Sequence, residues 1–454
     1  MVYNMATKKR RWGCFRILGI LFLVGLVTFI WWLMPRLAIL TGYAAKETCS
    51  CVFVADRSEA ITKLEDAGYF PISLASTDID FENKIVTSSL LGLGTKTAIY
   101  RAGLGCALKG DTEIQTIQNQ GYSPPIIPRP DSLYFPYGTQ LVDTIPNNVD
   151  TAQIQKALDL GFESKGTRAI VAIYNNQIIG ERYTFDKDTR LLGWSMTKSI
   201  TGSLIGILVK EGKLKIHEPP PIPAWQKDDR KHIHLHHLMQ MSSGLKWWEF
   251  YFDLSNATKM LYKSSDYGKY AMEQPAEFPP DSVWEYSSGT TNILSEIIEQ
   301  QFDNQQDAQQ FARTALFNKL GMNSMIIEAD ASGTHIGSSF GWATPRDWAR
   351  YGLLHLNDGV WNGERILPEG WVEYVTTPAR QSEGKYGGQI WLNHSKHFLP
   401  DNPSDTYMFN GFNGQHVIVI PSRNVVIVKM GLDSMGGVDL NKLVTEILKG
   451  IQDK

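Results

Sequence analysis

The chain has 454 residues, long enough for two or three folding units or for one large domain with attachments. With 43% apolar and 20% charged residues it can fill a sizeable core, which excludes disorder over most of its length. A net charge of -3 with no basic stripe excludes nucleic acid as the main partner, and four cysteines without a Cys-x-x-Cys pair exclude a zinc ribbon.

The first element is an apolar run from Ile17 to Met34, whose one polar side chain is Thr28. A helix of that length spans most of a bilayer core of about 30 Å. Lys8, Lys9, Arg10, Arg11 and Arg16 precede it, so the positive-inside bias makes residues 1–16 a cytoplasmic basic tail. Residues 17–34 then form a single-pass anchor in the inner (cytoplasmic) membrane, and the rest of the chain is periplasmic or otherwise extracytoplasmic. Trp31 and Trp32 fall at the far interface, where indole rings collect. The competing reading is a signal peptide cleaved near Ala44-Ala45; a run this long, followed by Pro35-Arg36, favours the uncleaved anchor. Outside the cytoplasm disulfides persist. Cys49 and Cys51 are too close to pair with each other, so one of them bridges to Cys106 or all three are thiols.

Residues 46–150 carry no chemical motif and no readable role. Ile85 to Leu91 and Thr97 to Arg101 predict strands around Gly92 and Gly94, and Pro124 to Pro136 is a connector. Residues 151–454 read as the catalytic domain. Ala169 to Tyr174 and Gln177 to Tyr183 predict a hairpin turning at Asn175-Asn176. Ser195 to Lys210 predicts a helix, with Met196, Ile200, Leu204, Ile207 and Leu208 on one face and Gly212 ending it. Gln415 to Ile420 and Val425 to Lys429 predict a second hairpin, and Asp439 to Ile451 a closing amphipathic helix. Strands at both ends with helices between predict an α/β (α+β) fold, an antiparallel sheet flanked by helices plus a helical insertion.

Ser-x-x-Lys places a hydroxyl and an amine on one face of a helix, where a buried lysine can shed its proton and activate the serine. The pattern occurs at Ser195/Lys198, Ser243/Lys246 and Ser382/Lys385. Only Ser195 opens an apolar helix, whose free N–H groups and dipole favour an alkoxide and a neutral lysine. Gly337-Ser-Ser-Phe-Gly341 matches the Gly-x-Ser-x-Gly elbow, but no buried strand leads into Ser339, so it reads as a structural turn. His232, His234, His236 and His237 could alternate on one face of a strand; with no Asp, Glu or Cys beside them, no metal is expected. Thr344-Pro-Arg-Asp347 reads as a helix cap.

Taken in order, Gly193-Trp-Ser-Met-Thr-Lys198, Tyr286-Ser-Ser-Gly, Gly341-Trp-Ala-Thr-Pro-Arg-Asp and Asn410-Gly-Phe-Asn-Gly-Gln415 resemble the serine β-lactamase and penicillin-recognising superfamily. Within it the chain looks most like 6-aminohexanoate-dimer (nylon-oligomer) hydrolases and family-VIII esterases. The resemblance implies a β-lactamase/D,D-peptidase-like fold that acts without a cofactor on a small amide or ester. It implies Ser195 as nucleophile, Lys198 as its base and Tyr286 as proton carrier. It also implies an oxyanion hole from the backbone N–H groups of Ser195 and Phe412, with Tyr251, Ser288, Asn410, Gly411 and Asn413 against substrate. Two positions depart from the pattern. Ser288 stands where the second motif usually has Asn, and Phe409-Asn410-Gly411 replaces Lys/His-Thr/Ser-Gly, removing the cation that binds the carboxylate of penicillins. A β-lactamase or D,D-peptidase, and an inactive binding protein of the same fold, are the alternatives to a hydrolase.

Overall fold

The computed structural model describes residues 6–452, with side chains from Ile17 onward except Met435. Residues 1–5, and the side chains of Lys8, Lys9, Arg10, Arg11, Cys14 and Arg16 in the expected basic tail, lie outside the described residues.

Helix α1 (Ala6–Phe53) runs far beyond the expected span, with Pro35 inside it. Among the described residues it is the one helix long and apolar enough to cross a membrane. Its apolar side chains are exposed from Ile17 to Met34 and become buried from Leu37 onward. The helix therefore changes partner at Pro35-Arg36, from its surroundings to the rest of the protein. Strands β1 (Ser76–Asp80), β2 (Ile85–Leu90), β3 (Leu93–Arg101) and β4 (Gly105–Leu108) form an antiparallel meander on the buried half of α1. Cys49 on α1 is bonded to Cys106 on β4, and Cys51 is a buried free thiol. The segment of unread role is thus wrapped onto the catalytic part: Ala45, Val86 and Ala98 share one apolar core with Trp194, Trp342 and Trp348.

The larger part follows: α2 (Thr151–Gly161), β5 (Thr167–Tyr174), β6 (Gln177–Tyr183), α3 (Thr197–Lys210), α4 (Ser288–Glu299) and α5 (Pro345–Leu356). Strands β7 (Trp391–Leu392), β8 (Tyr407–Gly411), β9 (Gln415–Ile420) and β10 (Val425–Gly431) and helix α6 (Leu440–Lys449) complete it. Six strands make one antiparallel sheet in the order β7-β8-β9-β10-β5-β6, so strands from the two ends of the segment meet at β10 and β5. Period-two alternation on β5 builds the layers. Ile170, Ala172 and Tyr174 pack on α2 and α6, while Val171 and Ile173 face the core that holds α3 and α5. The turn after β5 has φ of 48° at Asn175 and 62° at Asn176, the left-handed pair a two-residue hairpin requires. The histidine run is not a strand: Leu235–Met239 is a short helix, and His237 Nδ1 accepts the His234 N–H at 2.9 Å.

Candidate active site

Ser195 lies in a 3-10 turn, Trp194–Met196, that runs directly into α3. Trp194 holds a φ of 47°, a left-handed conformation that costs a bulky residue roughly 1–2 kcal/mol and persists only when packing fixes it. That packing is aromatic. Trp194 stacks near Tyr43 of α1 (centroids 6.3 Å), lies 5.5 Å from Phe340 and meets Phe412 edge-on at 5.8 Å. The segment leading into Ser195 is thereby clamped between α1 and the end of β8.

One turn along α3, the Lys198 amine is buried. It donates to Ser195 Oγ at 3.1 Å, Ser288 Oγ at 2.9 Å and the Ser338 carbonyl at 2.8 Å. Burial lowers its pKa to about 8, with the Glu249 charge partly opposing the shift. The Tyr286 ring lies under this amine, 4.9 Å from Nζ. Burial and then Glu249 push the phenol's pKa up, while hydrogen-bonding contacts with Ser195 and Trp391 oppose the rise. Trp391 and Tyr386 pack on the Tyr286 ring at 5.0 and 5.7 Å, fixing its plane.

The sequence motifs do not mark Glu249. Its carboxylate accepts the Ser288 N–H at 2.9 Å and the hydroxyls of Ser288 and Tyr251. One hydrogen-bonded path thus runs from Glu249 through the Ser288 hydroxyl and the Lys198 amine to Ser195. An acid inside the aromatic run Trp247-Trp248-Glu249-Phe250-Tyr251 was the available signal.

Gly411, at the end of β8, abuts the turn before the nucleophile. A Cβ there would lie 2.1 Å from the Gly193 carbonyl oxygen, so only glycine lets the strand approach. This contact carries the Phe412 backbone alongside Ser195. Asn410 Oδ1 accepts a hydrogen bond from the His416 Nδ1–H at 2.9 Å. Asn413 Oδ1 accepts the Ser434 N–H at 2.8 Å, closing a neighbouring turn. Ser339 is buried in a turn before a strand, with its hydroxyl against Ser338, and Ser338 supplies the carbonyl that holds Lys198. Lys246 and Lys385 are tied to Glu277 and Glu383, away from their paired serines. Among the described residues, Glu47, Cys51 and Asp66 gather potential metal-binding atoms. Both Asp66 oxygens are taken by the guanidinium groups of Arg57 and Arg168, which leaves no opening for a cation.

The structure brings a serine, a buried lysine and a tyrosine together on this sheet-and-helix frame, and residues 164–432 match the family model described as Beta-lactamase. The chain belongs to the beta-lactamase family. It is 25% identical to the 6-aminohexanoate-dimer hydrolase of Paenarthrobacter ureafaciens over 60% of this chain and 74% of that protein. The solved structure named "Putative 6-aminohexanoate-dimer hydrolase from Bacillus anthracis" superposes with a TM-score of 0.57 at 21% identity, covering 71% of this chain and 88% of that one. A family VIII carboxylesterase superposes at 0.53 and 13% identity, covering 69% and 99%. The fold is that of β-lactamases and penicillin-binding proteins, as the motif series implies.

Proposed function

We propose that the protein is a membrane-anchored serine hydrolase that cleaves amide or ester bonds through an acyl-enzyme on Ser195. The observation that carries this reading is the desolvated Lys198 amine, 3.1 Å from Ser195 Oγ and held by two further acceptors. A lysine with its pKa lowered to about 8 is partly neutral near neutral pH and can take the serine proton. Oγ then bonds to the substrate carbonyl carbon, and the backbone N–H groups of Ser195 and Phe412 receive the developing oxyanion. The proton passes by way of Tyr286 to the leaving alcohol or amine as the C–O or C–N bond breaks. Water attacks the acyl-enzyme with the same groups in reverse, releasing the acid and restoring the Ser195 hydroxyl.

The third motif argues against penicillin as the substrate. Phe409 replaces the usual cation, and the nearest buried amine on the sheet, Lys429, is taken up by Asp433 at 2.7 Å and the Gly414 carbonyl at 3.0 Å. Loss of one charge-assisted hydrogen bond of about 1.5–3 kcal/mol weakens carboxylate recognition roughly ten- to hundredfold. The test is intact mass of the full chain after a fluorophosphonate, p-nitrophenyl butyrate and penicillin, beside Ser195→Ala. One adduct that requires Ser195, ester turnover and no lasting penicilloyl mass is the expected result. A persistent penicilloyl adduct would reassign the protein, and labelling that survives Ser195→Ala would remove the nucleophile.

A further inference from the structure

The loop that carries Glu249 and Tyr251 meets α1 where the exposed half of the helix ends. Arg36 sits where the helix stops being exposed. Its guanidinium covers the Trp32 ring at 4.1 Å and pairs with Asp253 at 2.9 Å. Asp253 ends the loop that carries Glu249 and Tyr251 into the site, and the same loop points aromatic rings outward. Trp248 and Phe250 are stacked at 5.3 Å and exposed, and Phe252 is 80% exposed. Phe252 lies 6.4 Å from Phe412, which in turn packs on Trp194 beside the nucleophile. The tip between β2 and β3 reaches the same level. A Cβ on Gly94 would lie 3.0 Å from Leu37, and Leu91 at that tip is 92% exposed.

Exposed aromatic and aliphatic side chains clustered at one end of a protein require a covering surface. The continuity of α1 supplies one: the bilayer that the exposed half of the helix would cross ends at Trp31, Trp32 and Arg36, level with this rim. From this geometry we infer that the rim around Trp248, Phe252 and Leu91 dips into the lipid interface and that the substrate is an acyl ester or amide carried by a membrane amphiphile. Its acyl chain enters from the leaflet past Phe412. The third motif fits such a substrate, since Phe409 and Asn410 offer no cation for a soluble carboxylate. The inference rests on the anchored-hydrolase reading and names the substrate class for it.

The experiment uses the full chain in phosphatidylcholine vesicles with two probes, water-soluble p-nitrophenyl acetate and bilayer-resident 4-methylumbelliferyl oleate. The variant is Leu91→Asn with Phe252→Ser, both on the surface and outside the catalytic groups. Expected is a loss of about tenfold or more on the oleate ester, as two apolar side chains leave the interface, with acetate turnover within about twofold of the parent. Equal loss on both probes, no change on either, or acetate turnover by the parent without oleate turnover would overturn this inference alone. Failure of the parent on both probes, with no fluorophosphonate on Ser195, would overturn the hydrolase reading and this inference together.

Discussion

Ser288 shows how one substitution redirects a site. The family pattern usually places an amide here; the shorter hydroxyl leaves room for Glu249, which holds Ser288 while Ser288 receives the Lys198 amine. In the proposed mechanism the carboxylate would act through its field. Glu249 raises the proton affinity of Lys198, against the larger effect of burial, so kcat/KM should climb with pH through about 8 as the amine becomes neutral. In Glu249→Gln that support is gone, and the rising limb of the kcat/KM profile should move to lower pH. A profile that keeps its midpoint would show that Glu249 only packs. The stability sign is the opposite of a salt-bridged lysine. The folded chain holds this proton less tightly than the unfolded chain, so Lys198 opposes folding below about pH 8 and the penalty fades as pH rises toward 10.5. Glu249 escapes a reading by motif because its partner Ser288 is 39 positions away in sequence.

The legible elements were those whose signals are local. The β5–β6 hairpin and α3 follow from side-chain period and from turn residues such as Asn175, Asn176 and Gly212. Asp439 caps α6 through the Lys442 N–H, and Thr344 caps α5 through the Asp347 N–H. The histidine run allowed two readings, because alternation over a few residues fits a strand face as well as the single helical turn, closed by its own side chain, that it forms. The segment after the anchor was silent for a different reason: its meaning lies in distant contacts. Lys46 on α1 pairs with Glu328, 282 positions on, and both are fully buried. Glu328 also accepts from Ser50, the Cys106 N–H and Trp342, tying α1 and β4 to the strands beneath the nucleophile. The Cys49–Cys106 bond closes a loop of 57 positions across this join. Cys49→Ser with Cys106→Ser should lower stability by about 2–4 kcal/mol. It should also lower kcat, because α1 bears the Tyr43 ring that packs on Trp194. Thermal denaturation and ester kinetics on the same sample check both effects, and unchanged kcat in a destabilised variant would separate the anchor helix from the site.

For the whole molecule, the sequence revealed an apolar span and a catalytic fold but gave no sign that one helix serves both. α1 passes from Ile17 to Phe53 without a linker, and its far half is built into the catalytic core. A tethered enzyme on a flexible linker sweeps a volume above its membrane. On the anchored reading, a domain joined to its span by unbroken helix would have one working height instead, set by residue count at about 1.5 Å each. Extra helical residues next to Met34 would act as a spacer under the enzyme. Three or four alanines there would lift the site by about one 5.4 Å pitch and silence it toward bilayer-resident esters, while leaving soluble ones untouched. If the span is an anchor, the ruler that fixes reach is the protein's own backbone, and a substrate would be selected by its depth before its chemistry is tested.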